Sequence, residues 1–196
     1  MAEPLTPRAR QIVGAARELL EQEGAAALTM RRLADRLGIR APSLYKHLPD
    51  KAALEAAIIA TGFENTATAL EAALDAALAA GAEPLAALAA AYRAFALAHP
   101  HLYRLMTDQP LPRDLLPAGV EDRAAAPLLR AAGDPDRARA VWAFAHGMIM
   151  LELARRFPPD ADLDAAWQQG ITAFQTNPAA DAHQPAPTGG CRKRHP

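Results

Sequence analysis

The stretch TMRRLADRLGIRAPSLYKHLPDK, residues 29–51, decides how this chain folds. Thr29 brings a side-chain oxygen suited to capping a helix N-terminus. Met30, Leu33, Ala34 and Leu37 then recur at helical spacing and make one apolar face. Gly38 follows where a helix often ends in a left-handed residue, a conformation that only glycine adopts cheaply. A second short helix is expected next, with Leu44 and Leu48 turned inward. Ala34 is small enough for two helices to cross closely, Gly38 turns the chain, and Leu44 fills the space between them. This is helix, tight turn, helix, the arrangement that lets a second helix protrude into a DNA major groove. The charge agrees. Arg31, Arg32, Arg36, Arg40, Lys46 and Lys51 stand against Asp35 and Asp50, a local net of +4 in a chain of net −1. A solvated helical hairpin with a chance excess of arginine explains the spacing and the charge less well.

Leu44-Tyr45-Lys46-His47-Leu48, then Lys51 and Leu54, together with the helix Leu28 to Leu37, resemble the N-terminal DNA-binding domain of TetR/AcrR-type transcriptional regulators. The resemblance covers about the first third of the chain. It departs from the family pattern at Arg40, where a Ser or Thr usually caps the recognition helix. The resemblance implies that Tyr45 and His47 donate to phosphates and that Lys46 reaches a base edge. Thr29 and Lys51 would grip the DNA backbone on either side, with Arg40 and Ser43 near the groove entrance. A weaker likeness lies further on. Trp142, His146 and Gly147, followed by Leu151-Glu152-Leu153, look like the Trp-His-Gly (WHG) C-terminal domain of one TetR-type subgroup.

At 196 residues and 51% apolar, the chain is long enough to bury a sizeable core. It has no Asn-Gly or Asp-Gly hairpin turn and no alternating Val/Ile/Thr run, so the expected class is all-α with about nine helices. Nine basic and seven acidic residues precede Ala60, against twelve and fifteen after it, which places the basic character at the N-terminal end. A single cysteine, Cys191, fits a reducing compartment. The start, MAEPLTPRAR, lacks the apolar core of a signal peptide, and no apolar run reaches membrane length, so a cytoplasmic protein with no membrane partner is expected.

The domain reading is 6–67 for the DNA-binding unit, with the fourth helix running on to about 80. Residues 68–176 form a ligand-binding and dimerisation unit, and 177–196 a disordered tail in which Arg192-Lys193-Arg194 is best read as an inert charged end. Thr6 and Pro7 start the first helix. Pro49 and Asp50 separate the third helix from the fourth. Gly81 and Pro84 introduce the fifth, and Pro100 breaks it before a short sixth helix, Leu102 to Thr107. The three prolines from Asp108 to Gly119 make a loop. A seventh helix from Val120 to Ala132 is expected to kink or break at Pro127. The eighth, Asp136 to Arg156, is apolar nearly all round and so buried on more than one side. The ninth runs from Asp162 to Gln175.

Enzyme chemistry finds little footing. Ser43 is the only serine and sits in the recognition helix, and the only cysteine is in the tail. There is no GxGxxG and no phosphate loop. His99 and His101 flank a proline without a further ligand at metal-binding spacing, so neither a metal nor a cofactor is expected. Glu152 is the odd carboxylate of the eighth helix, more readily a structural pair than a ligand contact. The reading is a homodimeric transcriptional regulator and repressor, released from an inverted-repeat operator in double-stranded DNA by a small apolar or amphipathic molecule. A helical binding module that no longer reads DNA is the alternative. Dimerisation through the eighth and ninth helices is implied by the family resemblance. The ligand would be enclosed by helices five to eight, on Tyr92, Phe95, His99, Tyr103, Met106, Trp142, His146 and Ile149, with Glu152 as a further polar contact. A packed aromatic core is the plain alternative for these side chains.

Overall fold

The computed structural model describes residues 5–175, and among them it contains nine α-helices and two short 3₁₀ turns, at 25–27 and 113–115. α1 (Pro7–Glu23) begins where the Thr6 hydroxyl accepts the Ala9 N–H at 3.2 Å, with Pro7 in its first turn. It buries Ile12, Val13, Ala16, Leu19 and Leu20. α2 (Met30–Leu37) is capped by Thr29, whose hydroxyl accepts the Arg32 N–H at 3.2 Å. Gly38 then adopts φ +64°, and the Ile39 N–H closes onto the Ala34 carbonyl at 3.0 Å. α3 (Ala41–Tyr45) is short. Pro49 disfavours helical geometry at Leu48 before it, yet Leu48 stays buried, its N–H held by the Leu44 carbonyl at 2.9 Å.

α4 (Lys51–Ala80) starts at Asp50, whose carboxylate accepts the Ala53 N–H at 2.7 Å. Its 30 residues extend about 45 Å, far enough to leave the N-terminal bundle and enter the second one. There α5 (Pro84–Ala98), α6 (Pro100–Thr107) and α7 (Val120–Ala132) pack around it. α7 continues as one helix through Pro127, which is buried, so the expected interruption does not occur. α8 (Pro135–Leu153) and α9 (Leu163–Gln175) complete the fold.

Two principal cores result. One joins α1 to α4 and reaches into the second half through Phe95, Leu102, Met106, Leu116 and Val120. The other gathers Leu85, Tyr103, Val141, Ala145, Ile149, Trp167 and Ile171. α6 belongs to both: Leu102 and Met106 face the first, Tyr103 the second. Its seat on α4 is Gly62, where a Cβ would stand 2.5 Å from the Met106 sulfur and 3.2 Å from Leu102. A comparable seat joins α9 to α8, because a Cβ on Gly170 would come within 2.0 Å of the Phe144 ring.

α8 is less buried in the single chain than its composition suggests. Val141, Ala145 and Ile149 are covered, while Trp142 and Leu151 are 50% and 43% exposed. Glu152 forms the structural pair. The Arg93 guanidinium donates to it at 3.1 Å and the Trp167 indole N–H at 2.5 Å, tying α5, α8 and α9 together. No helix among the described residues is long and apolar enough to cross a membrane. The tail at 177–196, with Cys191 and Arg192-Lys193-Arg194, lies outside the described residues.

Candidate functional site

The helix-turn-helix presents one exposed, cationic surface. Leu44 and Leu48 are buried, which turns Tyr45, Lys46 and His47 outward, and Tyr45 is 47% exposed. Thr29, Arg40, Ser43 and Lys51 are exposed on the same unit. Three of its cations are partly neutralised: Arg32 pairs with Glu23, Arg36 with Glu18 at 3.3 Å, and Lys51 with Glu55 at 3.2 Å. Arg31, Arg40 and Lys46 have no ion pair among the described residues. Arg40 occupies the cap position of α3 without a side-chain hydrogen bond, so its guanidinium remains free to reach an anion.

The second feature is a cavity of about 650 Å³ in the C-terminal half, within the size range of small-molecule sites. Tyr92, Met106, Trp142 and His146 stand on its wall, as do Phe63, Thr66 and Leu70 of α4 and Ala124 and Leu128 of α7. Phe95, His99, Tyr103 and Ile149 do not line it, for different reasons. Phe95 is buried in the first core, with His99 edge-to-face against it at 5.3 Å. Ile149 is wholly enclosed in the second core. Tyr103 is 1% exposed and stands behind the wall, its hydroxyl 2.8 Å from His146 Nδ1. The α4 and α7 contributions escaped the sequence reading. Phe63, Thr66 and Leu70 continue an inward stripe that a helical count would have extended, but nothing marks Ala124 out from its many neighbours.

The polar groups of this wall are linked. The Trp142 indole N–H donates to the Tyr92 hydroxyl at 3.2 Å, and Trp142 stacks on His146 with ring centroids 6.0 Å apart. Tyr92 and Tyr103 meet edge-to-face at 5.7 Å. Burial pushes the Tyr103 hydroxyl strongly upward, and the neighbouring Tyr92 adds to this. Burial also raises Tyr92, against the hydrogen bonding of Tyr103 and Trp142. His146 is pushed below its ordinary value by burial, with a smaller opposing pull from Asp108. All three groups therefore favour their neutral forms.

Comparison with known proteins identifies the two regions of the chain. Residues 12–58 match the model of bacterial regulatory proteins of the tetR family, and residues 85–174 that of the tetracyclin repressor-like C-terminal domain. The chain is 30% identical over 179 residues to Rv0681, an uncharacterized HTH-type transcriptional regulator of Mycobacterium tuberculosis, covering 85% of this chain and 79% of that protein. The chain belongs to the TetR family of transcriptional regulators. It is accordingly a member of a non-enzyme family, with the family's helix-turn-helix at its N-terminal end. A protein of unknown function from Rhodococcus sp. RHA1 superposes with a TM-score of 0.70 at 26% identity, over 86% of this chain and 94% of that one. A TetR variant from Acinetobacter baumannii AYE, solved in complex with minocycline, shares the fold at a TM-score of 0.59 and 23% identity, over 87% and 94% of the two chains. Within this TetR-family chain, the domain models meet the cationic surface at one end and the cavity at the other.

Proposed function

We propose that this TetR-family regulator is a homodimeric repressor that a small, mostly apolar molecule releases from an inverted-repeat operator. The observation that carries the reading is the position of Met106. It stands on the cavity wall and also packs on Gly62 of α4, the helix that follows the recognition helix α3. A molecule in the cavity that displaces Met106 acts on α4. It favours a conformer in which the two recognition helices no longer match their half-sites, ~34 Å or a wider repeat apart. The shift is limited to the ligand's differential affinity for the two conformers, and a tenfold release requires about 1.4 kcal/mol.

On the DNA side, Tyr45, His47 and Thr29 meet phosphates, Lys46 reaches a base edge, Lys51 holds the backbone, and Arg40 and Ser43 line the groove entrance. The exposure of all seven supports this assignment. Dimerisation through α8 and α9 is supported by Leu151, a large apolar side chain of α8 left 43% exposed in the single chain. The C-terminal half is assigned to the WHG subgroup on Trp142, His146 and Gly147, the first two of which stack on each other. The test is a salt-titrated binding assay on the DNA upstream of the protein's own gene, with sedimentation of the same sample. A dimer on an inverted repeat, with affinity falling as lipophilic compounds are added, is expected. Tight binding by a monomer, or affinity unmoved by such compounds, overturns it.

A further inference from the structure

The charges on the cavity wall are already answered. Arg113 donates to both oxygens of Glu121, at 3.1 and 3.0 Å, and Arg139 pairs with Asp136. Arg113 and Arg139 are among the most exposed side chains of the wall, so the charges sit at its rim. The covered wall is Leu70, Leu88, Met106, Val141 and alanines, with Thr66 bonded to its own helix through the Gly62 carbonyl. A charged occupant would lose its hydration there and find no free counter-ion.

His146 leaves one polar atom available to an occupant. Tyr103 engages His146 Nδ1, and no described residue hydrogen-bonds to Nε2 of the same ring. His146 is a wall residue, and beside it the Trp142 ring lies near parallel, at 28°. Aromatic rings offer a flat occupant the offset stacking that such surfaces favour.

We infer that the effector is an uncharged aromatic molecule carrying a hydroxyl that hydrogen-bonds His146 Nε2 while its rings lie against the Trp142–His146 wall. A hydroxyl both gives and takes a hydrogen bond, so it satisfies either neutral tautomer of the imidazole. The inference rests on the cavity being the effector site.

Calorimetric titration of the full chain with four probes on one scaffold tests it: 2-naphthol, naphthalene, 2-naphthoate and 2-naphthylmethylammonium, at pH 7.5. The expected result is 2-naphthol at least tenfold tighter than either ion and several-fold tighter than naphthalene. His146→Phe should erase the preference for naphthol over naphthalene and leave naphthalene binding in place. Equal or tighter binding of an ion, a naphthol preference that survives His146→Phe, or no binding of any probe at millimolar concentration each overturns the inference. If the preference holds but naphthol does not weaken DNA binding, the ligand class stands and the repressor mechanism fails.

Discussion

The Glu21 carboxylate, on α1 of the DNA-reading unit, accepts the backbone N–H of Leu102 at 2.9 Å, in the first turn of α6. The His101 N–H points to its other oxygen at 3.4 Å. α6 has no side-chain cap of its own, because His99 holds the cap position without a hydrogen bond. A residue 81 positions away thus does the work of a helix cap. Glu21→Ala should cost about 1 kcal/mol in urea unfolding, the usual loss for a missing cap. Glu21→Gln, which keeps an acceptor oxygen, should lose less. Equal stability of Glu21→Ala and the parent chain would show that the contact contributes nothing.

Arg93 and Glu152 give a second measurement. The Glu152 side chain is 7% exposed, and Arg93 is its charge partner at 3.0 Å. Removing one member of a buried pair strands the other, so Arg93→Met should destabilise by about 3 kcal/mol. Asp164→Asn removes the exposed carboxylate on the same guanidinium and should change stability by no more than about 0.5 kcal/mol. Thermal or urea unfolding of the two variants side by side checks the contrast.

Gly170 is a packing requirement. Its missing Cβ leaves room for the Phe144 ring, which also meets Trp167 edge-to-face at 5.6 Å. Gly170→Ala should therefore destabilise by about 1–3 kcal/mol despite alanine's better helix propensity. A gain in stability would show that Phe144 turns aside freely.

Acid should weaken the fold through His146. Its folded value is lowered, so above pH ~6.5 the ring is neutral in both folded and unfolded chains and contributes no penalty. Below that, the unfolded chain takes up a proton that the folded chain resists, and stability falls as pH drops toward the folded value. Tyr103 and Asp108 are the groups that bear on this ring. Unfolding free energies at pH 7.5, 6.5 and 5.5 should decline, and His146→Gln should flatten the decline between the last two.

Lys51 should act on DNA through charge alone. It is half-exposed and, among the described residues, pairs only with Glu55, one helical turn on. Lys51→Ala should weaken binding to all sequences alike and reduce the salt dependence by about one unit of slope. Fluorescence anisotropy at several salt concentrations reads both, and an unchanged slope removes Lys51 from the interface.

What was legible in the sequence is what local chemistry dictates. Thr29, Ala34, Gly38 and Leu44 act within one short stretch and set α2 and α3, while Thr6-Pro7 and Pro49-Asp50 mark the starts of α1 and α4. The all-α class and nine helices follow equally from caps, prolines and period. The cavity wall was only half legible. Tyr92, Met106, Trp142 and His146 reach it, but which face of α5 and α8 meets a void depends on how α4 and α7 cross them. Alanines such as Ala124 carry no sign of that. Phe95, Tyr103 and Ile149 look the same in sequence as wall residues, and burial behind them is a tertiary outcome. Glu21 gave no sign at all, since its partner is on another helix.

The double allegiance of α6 limits how this protein can be taken apart. Its Leu102 and Met106 complete the core of the DNA-reading half, while Tyr103 completes the other. A chimera that joins the first 60 residues to a foreign effector half would inherit Glu21 without the backbone N–H groups it holds. It would also lack the side chains that fill the first core from α6. Exchange between relatives, in the laboratory or by recombination, therefore succeeds only where the incoming half brings an α6 shaped to that socket. Sensors assembled from this scaffold should be cut so that α1, α4 and α6 travel together.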